Sequence, residues 1–145
     1  MIFFIFMLTH YDVTVSNALE VFNEVKDTGI SCVGFKDIAL SAKELAKLVG
    51  LMRREGKTIF MEVVSETKES TIQSVKNGNL LGVDYLIGGT YVEPTLQLLK
   101  GSGIKYFPYI GKVVGHPCLL RGTIEETVRD AKKVQALGAD GMNLL

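Results

Sequence analysis

Six short apolar runs recur along the chain, beginning near Ile2, Ile30, Thr58, Val83, Ile104 and Asp140, and segments of helical length and period separate them. Runs rich in β-branched and aromatic side chains between turn signals read as buried strands, and the longer intervening segments read as helices. Strands joined through helices are parallel, because a parallel pair needs a crossover of about a dozen residues or more. The chain is therefore expected to be α/β, a parallel βα-repeat. At 145 residues, it is expected to form a single domain over 1–145 with a core of its own.

The helices are punctuated by recognisable chemistry. The first is expected from about Val15 to Lys26, with Thr14 as N-cap, Val15, Ala18, Leu19, Phe22 and Val25 on one face, and Gly29 at its end. Ser41-Ala-Lys-Glu44 is a capping box, in which a hydroxyl and a carboxylate satisfy orphan amides reciprocally. Ala42, Leu45, Leu48, Val49 and Met52 follow it on one face. A third helix should cover Glu69 to Asn77, with Asn77-Gly78-Asn79 as its stop. Gly88-Gly89-Thr90 precedes a helix that holds Pro94 in its first turn. Thr123-Ile-Glu-Glu126 is a second capping box, and its helix should turn Ile124, Val128, Ala131 and Val134 inward.

The strands carry the unusual residues. Thr58-Ile-Phe-Met-Glu-Val-Val-Ser65 reads as fully buried, yet contains Glu62. A carboxylate in such a strand costs several kcal/mol unless it is paired or faces a polar cavity. Ile104 to Ile110 contains Pro108, which has no amide to donate and marks a bulge or the strand's C-terminal end. The longest connection, Gly111 to Gly122, has the length of a lid or binding loop. A sixth strand is expected over Asp140 to Leu145.

Composition excludes several partners. Sixteen basic and sixteen acidic residues cancel without a run of either sign, so no footprint for nucleic acid or an anionic membrane is expected. Met1-Ile-Phe-Phe-Ile-Phe-Met-Leu8 lacks a basic flank and a cleavage site, is too short to span a bilayer, and reads as a strand. Cys32 and Cys118 form no disulfide framework or metal-ligand spacing, in keeping with a cytoplasmic protein. The expected partner is a small-molecule substrate, with no cofactor and no metal. Glu62, Asp12, Asp37 and His10 show no recognisable ligand spacing, although the fold could bring them together in space.

Repeated strand, loop and helix units of this size resemble the (β/α)8, or TIM, barrel. The stretch Ala136-Leu-Gly-Ala-Asp-Gly-Met-Asn143 is similar to helix-to-strand junctions of its phosphate-binding families. That resemblance implies isomerase, epimerase or aldolase-type lyase chemistry on a small, phosphorylated carbonyl or sugar metabolite. A complete barrel has eight units and typically ~250 residues, so the expected fold is TIM-barrel-like but incomplete, with five units and a bare sixth strand. The units that carry the superfamily's phosphate site have no counterpart, and no phosphate-binding residue is carried over. Uncovered parallel edges lead to the expectation of a homo-oligomer or a fragment. The alternative is an open doubly wound sheet of flavodoxin type.

Either fold places function at the C-terminal ends of the strands. The polar residues expected there are Thr9, His10, Asp12, Lys36, Asp37, Glu62, Ser65, Thr90, Tyr109, Lys112, His116, Arg121 and Asn143. Lys36 and Glu62, on neighbouring strands, form either a catalytic pair or a structural ion pair. His10, close to Asp12, is either a general acid/base or a satisfied strand-end histidine. Thr90, Lys112, His116, Arg121 and Asn143 are expected to bind substrate, with the loop cations as an anion clamp or as ordinary solvated charges. Cys118 is two residues from His116, a spacing that does not set up a nucleophilic dyad. A non-enzymatic ligand-binding or assembly domain is the second functional expectation.

Overall fold

The computed structural model describes residue 2 and residues 4–145. The elements in order are β1 (Ile5–Met7), β2 (Thr9–His10), β3 (Val13–Thr14), α1 (Ala18–Val25), β4 (Cys32–Lys36), α2 (Ala42–Arg54), β5 (Thr58–Val63), α3 (Lys68–Leu81), β6 (Tyr85–Gly88), α4 (Val92–Leu99), β7 (Lys105–Phe107), β8 (Lys112–Val114), β9 (Leu119–Arg121) and α5 (Ile124–Ala136). Of the opening run expected as a strand, positions 1 and 3 lie outside the described residues, and β1 forms over Ile5–Met7 alone.

The main sheet has the order β1-β4-β5-β6-β7, and every pairing is parallel. Each new strand is added on the same side of the last, so the sheet winds in one direction and has no switch point. A doubly wound sheet reverses its order at such a point, which corrects the flavodoxin-type alternative. With right-handed crossovers, one-way winding puts the helices on a single face.

Alternation along the strands then separates two apolar layers. Val33, Phe35, Ile59, Met61, Val63, Leu86 and Tyr106 face the helices and join Phe22, Leu48, Met52 and Val75 in one buried core. Each such large apolar side chain contributes about 1.5–3 kcal/mol by leaving water. On the opposite face Phe60 stacks on Tyr85, with centroids 4.3 Å apart, and Tyr85 meets Phe107 edge-on at 5.7 Å. Gly34 leaves room beside Phe60 for Met7, whose sulfur lies 2.4 Å from where a Cβ would stand. Lys36 and Glu62 lie one pleat above this layer, Cα partners in register.

Several local expectations hold. Both capping boxes are present, Ser41 with Glu44 and Thr123 with Glu126. Pro108 marks the C-terminal end of β7. Others are corrected. α1 begins at Ala18 after Asn17, because the Thr14 hydroxyl is used elsewhere, donating to Lys36 O and accepting from Lys36 N at 2.8 Å. α3 runs through Asn77-Gly78-Asn79 and stops at Gly82, which takes a left-handed φ of 66°. Gly78 is a packing residue, since a Cβ there would stand 3.0 Å from Leu86 and 3.2 Å from Met61.

The connection from Gly111 to Gly122 is a β8–β9 hairpin, with Lys112 paired to Arg121 in register. In α5 only Val134 is buried, and Ile124 and Val128 are 79% and 48% exposed. The reason lies in the segment after α5. In place of the expected sixth strand it makes one parallel bridge, Tyr109 to Asn143, and offers the helix little sheet to cover. Among the described residues no helix is long and apolar enough to cross a membrane.

Candidate functional site

Four elements converge at the C-terminal ends of the sheet strands. β4 ends in Lys36 and β5 carries Glu62 as its register partner, so the two side chains project side by side. Tyr109 follows Phe107 by two residues and shares its side of the pleat. Asp12 sits in the turn between β2 and β3, where Tyr11 and Asp12 adopt φ of 47° and 64°. Two left-handed residues suit a tight hairpin turn, where aspartate is readily accommodated and Tyr11 is the strained member.

The resulting network is ionic and dense. Lys36 Nζ lies between two carboxylates, donating to Asp12 Oδ1 and standing 3.2 Å from Glu62 Oε2. The other Glu62 oxygen accepts from the Tyr109 hydroxyl at 2.7 Å and from Asn143 Nδ2 at 3.3 Å. Asp12 Oδ2 accepts from the Cys118 backbone N–H at 3.1 Å and lies 3.2 Å from His116 Nδ1. Glu62 thus has donors on both oxygens, and Asp12 joins the strand-end pair to the β8–β9 turn.

Burial and charge oppose each other at Lys36 and Asp12 and act in the same direction at Tyr109 and Cys118. Burial disfavours the Lys36 ammonium, but Asp12 and Glu62 outweigh it and raise the lysine above its ordinary pKa. Burial also works against the Asp12 carboxylate, yet Lys36 and the Cys118 amide hold its pKa below the usual value. Burial, then the Glu62 charge and the hydrogen bond to it, push the Tyr109 phenol far up. The Cys118 thiol is raised by burial and by Asp12. Lys36 is therefore a fixed positive charge and Tyr109 a neutral donor.

A cavity of about 230 Å³ opens beside this network, lined by residues that include Val63, Ser65, Thr90, Tyr109, Val113 and Cys118. Tyr109 belongs both to the cavity wall and to the hydrogen bonds of Glu62, whereas Lys36 and Glu62 lie behind it. The space suits a small metabolite, being below the ~300–1,000 Å³ usual for drug-sized ligands.

The sequence-derived candidates separate into two groups. Lys36, Glu62, Asn143 and His116 come together, and Thr90 lines the cavity. His10 is exposed and makes none of these hydrogen bonds or ion pairs, its ring centroid lying 4.0 Å from that of Tyr11. His116 is the histidine that meets Asp12. Lys112 and Arg121 are exposed on the hairpin strands. Asp37 is structural, accepting from Val64 N at 2.9 Å and from the Ser65 hydroxyl at 2.5 Å. Sequence reasoning placed Tyr109 and Asp12 among the strand-end polar residues without assigning Tyr109 a role, weighed Asp12 as a companion of His10 and in a possible metal set with Glu62, Asp37 and His10, and gave Cys118 little weight. The even spacing of Phe107 and Tyr109 was a usable signal for Tyr109. Nothing local pointed to Cys118, which meets Asp12 across 106 residues of sequence.

No family model matches the chain, and no curated protein matches it. Solved structures do. A structure described as native KDPGal matches with a TM-score of 0.64 at 13% identity, over 97% of this chain and 57% of that one. A truncated 3-deoxy-D-arabino-heptulosonate 7-phosphate synthase from Thermotoga maritima gives a TM-score of 0.62 at 16% identity, over 98% of this chain and 50% of that one. D-psicose 3-epimerase from Clostridium cellulolyticum H10 gives 0.63 at 10% identity, over 97% of this chain and 61% of that one. The chain thus spans between half and two thirds of these proteins. At such identities the likeness is one of fold: an α/β, incomplete TIM-like barrel.

Proposed function

We propose that the chain carries isomerase, epimerase or aldolase-type lyase chemistry on a small carbonyl or sugar metabolite. The observation that carries this reading is the Lys36 ammonium fixed beside Glu62 at the strand ends, with Tyr109 joining that pair to a cavity. Reactions of this class remove a proton or break a bond next to a carbonyl and build negative charge on its oxygen. A base and a fixed cation a few ångströms apart meet both needs. Glu62 moves the proton. Lys36 stabilises the enolate oxygen by charge, since an amine held between two carboxylates is a poor imine-forming nucleophile. A substrate reaches Glu62 by exchanging for the Tyr109 hydrogen bond, and the freed hydroxyl then donates to a substrate oxygen.

A phosphorylated substrate is the finer form of this proposal. Lys112 and Arg121 stand opposite each other on the hairpin whose Val113 lines the cavity, and like charges so placed favour an anion between them. Replacing both by alanine is expected to raise KM for a phosphorylated substrate with little change in kcat. An unchanged KM removes the phosphate from the reading.

The primary test is Glu62→Gln, an isosteric change that keeps an oxygen for Tyr109 and Asn143. Turnover should fall by about 100-fold or more, as loss of a general base implies, with Tm within a few degrees of the parent. A large fall in Tm with activity retained in the folded fraction assigns Glu62 to the scaffold. That outcome favours the second reading, a ligand-binding or assembly domain. Its support is that both Glu62 oxygens already hold protein donors.

A further inference from the structure

The geometry points to a divalent-cation site of zinc type formed by Asp12, His116 and Cys118. The three residues each offer one ligand atom, and these atoms all lie within 4.8 Å of one another. Tetrahedral zinc with metal–ligand lengths of about 2.0–2.3 Å requires its ligand atoms roughly 3.3–3.8 Å apart. Asp12 Oδ2 and His116 Nδ1 are already at 3.2 Å. A small inward movement of the β8–β9 turn, which carries both His116 and Cys118, completes the set.

Three further observations support a metal over a chance cluster. The first is charge. Asp12 and Glu62 share the single ammonium of Lys36, which leaves one negative charge before any ion binds, and coordination that displaces the Cys118 thiol proton adds a second. The uncompensated charge is then that of one divalent ion. The second is the way Asp12 is held. Lys36 binds Oδ1 while Oδ2, which also accepts from the Cys118 amide, faces the histidine, so the lysine and the amide orient the carboxylate as outer-shell partners of metal ligands do. The third is access. Cys118 lines the cavity beside Tyr109, so with three protein ligands the fourth position opens where a substrate oxygen or water can enter, as in catalytic zinc sites.

The donor set fixes the class of ion. A thiolate with an imidazole and one carboxylate selects zinc or a similar borderline metal, whereas magnesium and calcium take oxygen ligands. The inference concerns binding and does not rest on the proposed reaction.

The test is to strip the full chain with a chelator and add cobalt(II), then titrate zinc against a chromophoric chelator. One equivalent of cobalt should give the intense near-ultraviolet band of thiolate-to-cobalt charge transfer. Cys118→Ser and His116→Gln should abolish the band or weaken zinc binding by about 100-fold or more, since even outer-shell losses cost roughly 10–100-fold. Cys32→Ala, at the other thiol, should leave both unchanged. Circular dichroism establishes that each variant is folded, and Cys118→Ala provides a second removal of the sulfur. Folded parent protein without the cobalt band, or a band lost in Cys32→Ala and kept in Cys118→Ser, overturns the site.

Discussion

Lys36 shows most clearly how one residue is held by competing terms. Its side chain is 9% exposed, and its ammonium is the only cation between Asp12 and Glu62 among the contacts the site makes. Breaking a buried ion pair by removing one partner typically costs about 3–5 kcal/mol, because it leaves an uncompensated charge. Lys36→Met, which keeps the aliphatic stem, should therefore destabilise the protein by roughly that amount in urea unfolding. Glu62→Gln should not. A Lys36→Met protein as stable as the parent means that the two carboxylates do not depend on the ammonium. The register of β4 and β5 made this pair readable from sequence. The role of Asp12 was not readable, because its turn and the hairpin meet only in the folded chain.

Elements are shaped here by close approach as much as by propensity. Gly88 ends β6 with φ 78°, and a Cβ there would stand 2.7 Å from the Val63 carbonyl oxygen. Backbone cannot yield as a flexible side chain can. Gly88→Ala combines a left-handed L-residue, about 1–2 kcal/mol, with overpacking of about 1–3 kcal/mol. A loss of roughly 2–5 kcal/mol is expected by denaturant unfolding, and a loss below ~1 kcal/mol contradicts the geometry. Gly78 teaches the converse for α3. A sequence of Asn, Gly and Asn looks like a helix stop, yet the glycine lies under Leu86 and Met61, where a side chain would crowd the sheet. Local composition cannot distinguish a turn glycine from a packing glycine.

For the whole molecule, stability is concentrated at the centre of the sheet. β4 is buried along its whole length and β5 from its second residue on, whereas α5 buries only Val134. Hydrogen exchange should reflect this gradient, with β4 and β5 amides opening only in global unfolding and α5 and hairpin amides exchanging at clearly lower free energy. Equal protection in α5 and β5 shows that something covers the helix face that carries Ile124 and Val128.

The sequence by itself determined the repeating α/β pattern, the two capping boxes and the pairing of Lys36 with Glu62, and it narrowed Pro108 to a bulge or a strand end. Each depends on periodicity or spacing within one or two adjoining elements, and such short-range physics is written locally. Only the tertiary structure decided the rest. One-way strand order rejected the doubly wound sheet, the weak sixth pairing left α5 half uncovered, and the meeting of two turns placed Asp12 beside His116 and Cys118. Those outcomes depend on which distant surfaces bury one another, and no window of neighbouring residues contains that information.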